Sequence, residues 1–280
     1  MSHFLEHPGF ADDPASRSGI DDGLPLLWDT SAEPPVFAPD DWFKFLERTG
    51  GVPRPALPLS MLVTVAPGIW KAALSLADAD VHPFATAAHP FAVGRVWGMP
   101  VALGFTQKGS ASAGALEEYI ALGARRFVFV GGCGAIVPDL PIGAAVVAHR
   151  ALRDEGLSFA YLPPGRYVDA TVPLVDALAK ASSALLPEVR RGAIWTTFAH
   201  FRQNAVRMAA FAAEGCVAVN NETAAMYAVA AYHGVEIAAL HLVGDTLARG
   251  AFEIDLTAPD HLGAFDDLAV VCAALEALLA

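Results

Sequence analysis

Glu222 and Asp245 are the residues around which a chemical reading of the chain is organised. The stretch CVAVNNETAAMYAVAAYHGVEIAALHLVGD, residues 216–245, has the pattern strand, helix, strand. Residues 216–219 form a short apolar run that suits a buried parallel strand. Residues 223–232 are Ala-rich and free of Gly and Pro, as a helix interior should be. His233-Gly234 supplies the stop, with the glycine able to take the left-handed conformation. Residues 237–243 make the second strand. Ligands of open α/β sheets bind beyond the carboxyl ends of the strands, and this unit leaves one acid at each such end. Two carboxylates delivered to one rim of a sheet are what the rest of the chain is read against. A purely structural reading stands beside that one: Glu222 as a helix-dipole partner and Asp245 as a loop or capping residue.

The remaining composition sets bounds on that chemistry. The 280 residues suit one large α/β domain, or one domain with a leader. A chain that is 54% hydrophobic and 17% charged can bury a sizeable core. The net charge of -12 argues against a nucleic-acid partner, and an anionic substrate would need a local positive pocket. Cys133, Cys216 and Cys272 are odd in number, far apart and set among apolar residues. They are expected to be buried thiols, neither bridged nor holding a metal. No apolar run approaches the length of a membrane span. The start, MSHFLEHPGFADDPAS, lacks the basic and apolar regions of a signal peptide, so a cytoplasmic protein is expected.

The elements that must position the two acids follow in order. Residues 1 to about 35 are rich in Pro, Asp and Ser and are expected to be a poorly ordered or wrapping arm, with the apolar GLPLLW segment (23–28) docking somewhere. A short helix opens at Pro39, buries Trp42, Phe45 and Leu46, and ends at Gly50-Gly51. Core strands are expected at 61–65, 93–99, 101–105, 127–130, 144–149 and 193–197. Helices are expected at 69–77, 113–122 (with Glu117 and Glu118 outward), 172–183, 206–215 and about 264–279. Residues 156–167 are expected to be an irregular loop, and 106–112 and 200–204 polar loops; another loop with Arg249 and Gly250 follows Asp245. The 127–130 strand runs into Gly131-Gly132-Cys133-Gly134, where bare backbone can approach a ligand closely or simply make a tight turn.

Four of these segments, in order, resemble the nucleoside phosphorylases of the purine-nucleoside and uridine phosphorylase superfamily. FVFVGGCGAI (127–136) is similar to its strand and glycine loop, and IWTTFAHFRQN (194–204) to a Trp-Thr-Thr-Asp-Ala-x-Tyr-Arg stretch of one branch. VNNETAAMYAVA (219–230) is similar to the ribose-holding Val-Glu-Met-Glu segment, and LVGDTL (242–247) to the Val-Ser-Asp segment near the base. The resemblance covers residue 59 to the C-terminus. It implies an N-terminal arm with a short helix over 1–58 and, over 59–280, a single three-layer α/β/α domain with a central mixed sheet.

The same resemblance implies cleavage of a nucleoside N-glycosidic bond through an oxocarbenium-like ribosyl centre. Glu222 and Asn221 then hold the ribose, and Asp245 protonates or hydrogen-bonds the leaving base. Arg202, Cys133 and Gly134 face the nucleobase, and Gly68, Gly131 and Gly132 line the nucleophile pocket. No cofactor is implied; phosphate is the candidate co-substrate, and a homo-oligomer is expected. The departures bear on the nucleophile. Ala72 stands where the family's phosphate-loop arginine belongs, Phe129 at the strand arginine and Gly132 at the loop hydroxyl, while Asn220 and Asn221 replace an acid and a methionine, and Phe198 an aspartate. Losing bidentate guanidinium donors weakens anion binding. Water therefore competes with phosphate as the expected nucleophile, and the alternative is a catalytically weak relative that binds a nucleoside or nucleobase as a sensor or assembly subunit.

Overall fold

The computed structural model describes residues 26, 29–86, 88–248, 250–254 and 265–280. Most of the expected N-terminal arm, its GLPLLW segment apart from Leu26, and Arg249 lie outside the described residues. Helix α1 (Pro39–Gly50) is followed by β1 (Ser60–Thr64), α2 (Pro67–Leu76), β2 (Phe91–Val96), β3 (Met99–Phe105), α3 (Ala111–Ala121) and β4 (Arg126–Ala135). Then come β5 (Ala145–Asp154), α4 (Ser158–Tyr161), β6 (Tyr167–Asp169), α5 (Val172–Leu185) and β7 (Val189–Thr197). The chain ends with α6 (Ala205–Ala213), β8 (Cys216–Asn220), α7 (Thr223–His233), β9 (Glu236–Thr246), β10 (Glu253–Ile254) and α8 (Asp267–Leu279).

The strands form one mixed sheet in the order β10-β9-β5-β7-β8-β4-β1-β3-β2, and β9 also pairs with β4. That extra pairing closes β4, β9, β5, β7 and β8 into a ring, so the centre of the sheet curls into a small barrel flanked by helices. On one side α8 packs on α2, α5, β1 and β4; α7 packs with α3, α4 and the barrel strands. Burial explains the composition. Phe127–Val130 are fully buried, as a continuous apolar run covered on both faces should be. Thr223–Ala230 of α7 are likewise buried all round, which is why that helix carries small and apolar residues on every face. Gly234 ends α7 in the left-handed conformation (φ 64°).

Several local expectations change. The buried residue of α1 is Phe43, packed against Phe84 and under Arg54, while Phe45 is exposed and stacks on Trp42. A spacing of three counted from Trp42 picks the flank of the stripe rather than its centre. Glu117 and Glu118 are half-buried rather than outward-facing. Glu117 accepts from Tyr161 and meets His233, and Glu118 meets His89. The glycines 131–134 continue β4 rather than making a turn. The irregular 156–167 loop contains α4 and leads into β6, held by Arg153, whose guanidinium donates to Ser158 Oγ and to the carbonyls of Ser158, Leu162 and Pro163. Local periodicity could not announce that anchor, because the arginine acts across the turn.

Candidate active site

Glu222 and Asp245 meet for a reason other than the parallel-strand rule. Strand β8 runs parallel to β7 but antiparallel to β4, whereas β9 runs parallel to β4. The two acids therefore follow strands of opposite direction. They converge because the far end of β4 is shared: Gly134 pairs with Val219 on one side and with Asp245 on the other, at a bulge between Cys133 and Gly134. The extra residue there is Gly244 of β9, and a bulge bends the strand that carries it. A glycine is needed at 134, since a Cβ would run into the Asp245 carboxylate. Asp245 itself lies within β9, opposite Ile254 of β10, rather than in a loop.

Glu222 is the N-cap residue of α7 and is 3% exposed. Its carboxylate accepts from Gly109 N at 2.9 Å, from Asn221 N at 3.2 Å and from Asn220 Nδ2 at 3.2 Å. The first of these ties the 106–110 loop to the start of α7. Burial raises its pKa above the usual carboxylate range, opposed by the two backbone N–H groups and by the charge of Lys108. Behind it runs a buried polar chain. Thr196 Oγ1 donates to Asn220 Oδ1 at 2.9 Å, Asn220 Nδ2 donates to Thr223 Oγ1 at 2.6 Å, and Thr223 Oγ1 meets His241 Nε2 at 2.8 Å. Burial pushes His241 down to about 3, so the ring is neutral. Asn221 is held by its own amide, which donates to Thr197 O at 2.5 Å.

These residues border a cleft of about 200 Å³. Glu222, Asn221, Asp245, Gly132, Cys133 and Gly134 all line it. Cys133 is buried, and its thiol is pushed far above the usual range by burial and then by Asp245, so it stays protonated. Three expected site residues are placed differently. Gly131 does not line the cleft; a Cβ there would stand 2.8 Å from the Phe129 ring, which fills that space. Gly68 lies behind the lining residues Ala66 and Pro67, with the Asp267 carboxylate against its Cα. Arg202 lies in a 3-10 turn, His200–Arg202, that leaves it exposed while His200 and Gln203 border the cleft.

Lys108, His200 and Gln203 are among the lining residues that sequence reasoning missed. Their only signal was membership of polar loops, 106–112 and 200–204, at strand ends. An open depression adjoins the cleft and shares Lys108, His200 and Asn221 with it. Among the described residues no group of three His, Cys, Asp or Glu side chains is placed to hold a metal ion, and no helix is long and apolar enough to cross a membrane.

Comparison with known proteins bears on this arrangement. Residues 62–274 match the family described as the phosphorylase superfamily. A uridine phosphorylase of Thermococcus kodakarensis is 36% identical over 89 residues, 30% of this chain and 32% of the relative. A DeoD-type purine nucleoside phosphorylase of Bacillus cytotoxicus is 27% identical over 160 residues, 56% of this chain and 65% of the relative. The chain thus aligns with less than two thirds of the length of either. Among solved structures, a purine nucleoside phosphorylase of Toxoplasma gondii in complex with immucillin-H superposes with a TM-score of 0.69 at 17% identity, covering 80% of this chain and 94% of the other. A uridine phosphorylase of Vibrio fischeri gives 0.69 at 19% identity, covering 80% and 92%. At these identities the superpositions establish the fold.

Proposed function

Because the chain belongs to the phosphorylase superfamily, we propose that it cleaves the N-glycosidic bond of a nucleoside and uses water, rather than phosphate, as nucleophile. The observation that carries the reading is the convergence of Glu222 and Asp245 on one cleft through Gly134. Glu222 accepts from a ribose hydroxyl and favours the cationic centre that develops at C1′. A carboxylate has roughly four acceptor sites, and three protein donors already use this one. That leaves about one site for the sugar. Asp245 gives its proton to the leaving base as the C1′–N bond breaks and its electron pair goes to the base nitrogen. Water adds to C1′ and loses a proton, so the products are free base and free ribose.

The case for water rests on the opposite wall. Ala72, Phe129 and Gly132 stand at the positions where the family's cations and hydroxyl would hold phosphate, and Phe129 is fully buried. Each missing charge-assisted hydrogen bond is worth roughly 1.5–3 kcal/mol. Asp267 adds a carboxylate against Gly68 in the first turn of α2, where an anion would otherwise be welcome. Base release from a nucleoside panel, with and without millimolar phosphate, tests the reading; strict phosphate dependence would overturn it.

A second reading, binding without turnover, is favoured by one feature: Glu222 is already largely satisfied by the protein. Calorimetric binding of a nucleoside with no base released would select it. We also propose a homo-oligomer. Phe201 and Val206 are 94% and 80% exposed beside the cleft, and none of the residues of α6 is buried. Light scattering that returned the monomer mass at micromolar concentration would remove that proposal.

A further inference from the structure

The polar chain behind Glu222 has a direction, and the protons available along it fix which way it runs. Thr196 Oγ1 accepts from Ala224 N at 3.0 Å, so its own proton goes to Asn220 Oδ1. That turns Asn220 Nδ2 toward Thr223 Oγ1 at 2.6 Å and Glu222 Oε2 at 3.2 Å, with one proton for each. Thr223 Oγ1, accepting there, sends its proton to His241 Nε2 at 2.8 Å. Nε2 must therefore be bare, and the neutral ring carries its proton on Nδ1. His241 is fully buried and packs edge-on against the Phe129 ring. Its Nδ1 makes no full hydrogen bond, but the backbone of Gly132, which lines the cleft, favours a proton on the ring.

The same count excludes the opposite direction. A proton on Nε2 would be donated to Thr223, whose own proton would then need an oxygen of Asn220. Asn220 turned round would set Oδ1 against Glu222 and leave the Thr196 proton without an acceptor. A carboxyl facing an oxygen is held only when it carries a proton itself. Two of the three Glu222 donors, Gly109 N and Asn221 N, belong to the backbone, so the Asn220 amide is the one that can be reversed. Burial already favours the neutral acid. We propose that His241 is a positioning residue: its bare Nε2 fixes the direction of the chain, so that Asn220 presents Nδ2 and Glu222 stays ionised for the sugar. The proposal deepens the nucleoside-cleaving reading above and rests on it for the role of Glu222. The other titratable groups lining the cleft are Lys108, His200, Cys133 and Asp245, of which Lys108 also favours ionised Glu222. Glu117, Tyr161 and His233 meet at the far end of α7. Burial and the Gly132 backbone are what act on the His241 ring.

The test has a spectroscopic arm and a kinetic arm. In native protein labelled with ¹⁵N, the ring nitrogens of His241, assigned through its backbone, are expected to report the Nδ1–H tautomer at neutral pH. An Nε2–H tautomer, or a charged ring at neutral pH, overturns the proposal. The pH profile of kcat/KM for base release from adenosine, inosine and uridine is then compared in native protein, His241→Leu and His241→Gln. Leu offers Thr223 no partner. Its acid limb is expected to move up by about one pH unit, roughly a tenfold loss of rate below the limb, the scale of one hydrogen bond to a charged group. Gln offers a carbonyl in place of Nε2, and its limb is expected to stay near the native one. A uniform loss of rate with the limb unmoved, or the same shift in both variants, overturns the proposal and leaves the cleaving reading standing. Thr223→Val and Thr223→Ser repeat the comparison should His241→Leu not fold, with the shift expected in Thr223→Val alone. If none of the three nucleosides releases base, the cleaving reading fails, and their calorimetric binding carries the pH profile instead. A binding limb that moves in His241→Leu and not in His241→Gln then supports the positioning role, and an unmoved one overturns it.

Discussion

Glu222 and the wall opposite it show two ways in which one cleft can be built. Around Glu222 the polar side chains are linked: three donors hold the carboxylate, and Asn220, Thr196, Thr223 and His241 continue the chain into the core. At the other wall, Ala66 and Pro67 line the cleft, the Phe129 ring packs against Gly131, and the Asp267 carboxylate sits against Gly68. Polar groups of the first kind are fixed twice, by any ligand and by the cost of leaving a buried partner unsatisfied. Groups on the second wall are fixed by a ligand alone, so an anion site there can be lost without unfolding the protein. The difference places the densest hydrogen bonding of the cleft on the Glu222 side.

The most severe way to break this contrast is Glu222→Gln. It removes the charge that favours the ribosyl centre and sets an amide N–H against the Gly109 or Asn221 N–H. Turnover is expected to fall about 100- to 1,000-fold, the range seen when a positioned transition-state partner is lost, as read by base release. Asp245→Asn should cost about 100-fold in turnover while leaving sugar binding largely intact, because it removes a proton donor and not a sugar contact. If both changes cost equally little, the two acids are structural.

Stability distinguishes the two walls next. Asn220→Ala removes one partner each from Thr196, Thr223 and Glu222, and is expected to destabilise the fold by about 2–3 kcal/mol in urea titration. Ala72→Arg in α2, outside that polar chain, should change stability by well under that amount. His241 gives the same contrast a pH dependence. Its folded pKa of about 3 lies below the ordinary 6.5, so the unfolded chain takes up the proton first. Its contribution is complete above about 6.5 and is lost as pH falls toward about 3, amounting to about 2 kcal/mol between neutral pH and about pH 5. His241→Gln should flatten that acid-side loss. Glu222 has the opposite sign: its raised folded pKa gives stability at low pH that is lost as pH rises through the folded value. The ionised form is the working one, so the acid limb of activity should lie above the ordinary glutamate range.

Much of this was legible from residues 216–245 alone, because a strand, an Ala-rich helix, a glycine stop and a second strand are all written locally. The mixed sheet follows from the resemblance, whereas the two acids meet beside Gly132–Gly134 through strands of opposite direction that the stretch alone did not announce. What was hidden depends on long-range pairing. Strand β8 turning antiparallel to β4 and the register shift of β9 against Cys133 and Gly134 join segments far apart in sequence, while the Arg153 anchor is nearer in sequence but has no periodic signature. Arg202 was chosen over His200 and Gln203 because charge was the only guide in a polar loop, and a 3-10 turn decides which of its residues face inward. Lys108 was missed for the same reason, since a lysine in a TQKGS loop is indistinguishable from a solvated one until Gly109 is seen bonded to Glu222.

One measurement bears on the central claim most directly: the reaction of a cleaved substrate in ¹⁸O-labelled water, with millimolar phosphate present, followed by mass analysis of the sugar. The account predicts that the sugar leaves with one labelled oxygen on C1 and no phosphate on that carbon, at a rate indifferent to phosphate. Unlabelled sugar 1-phosphate as the product would contradict it.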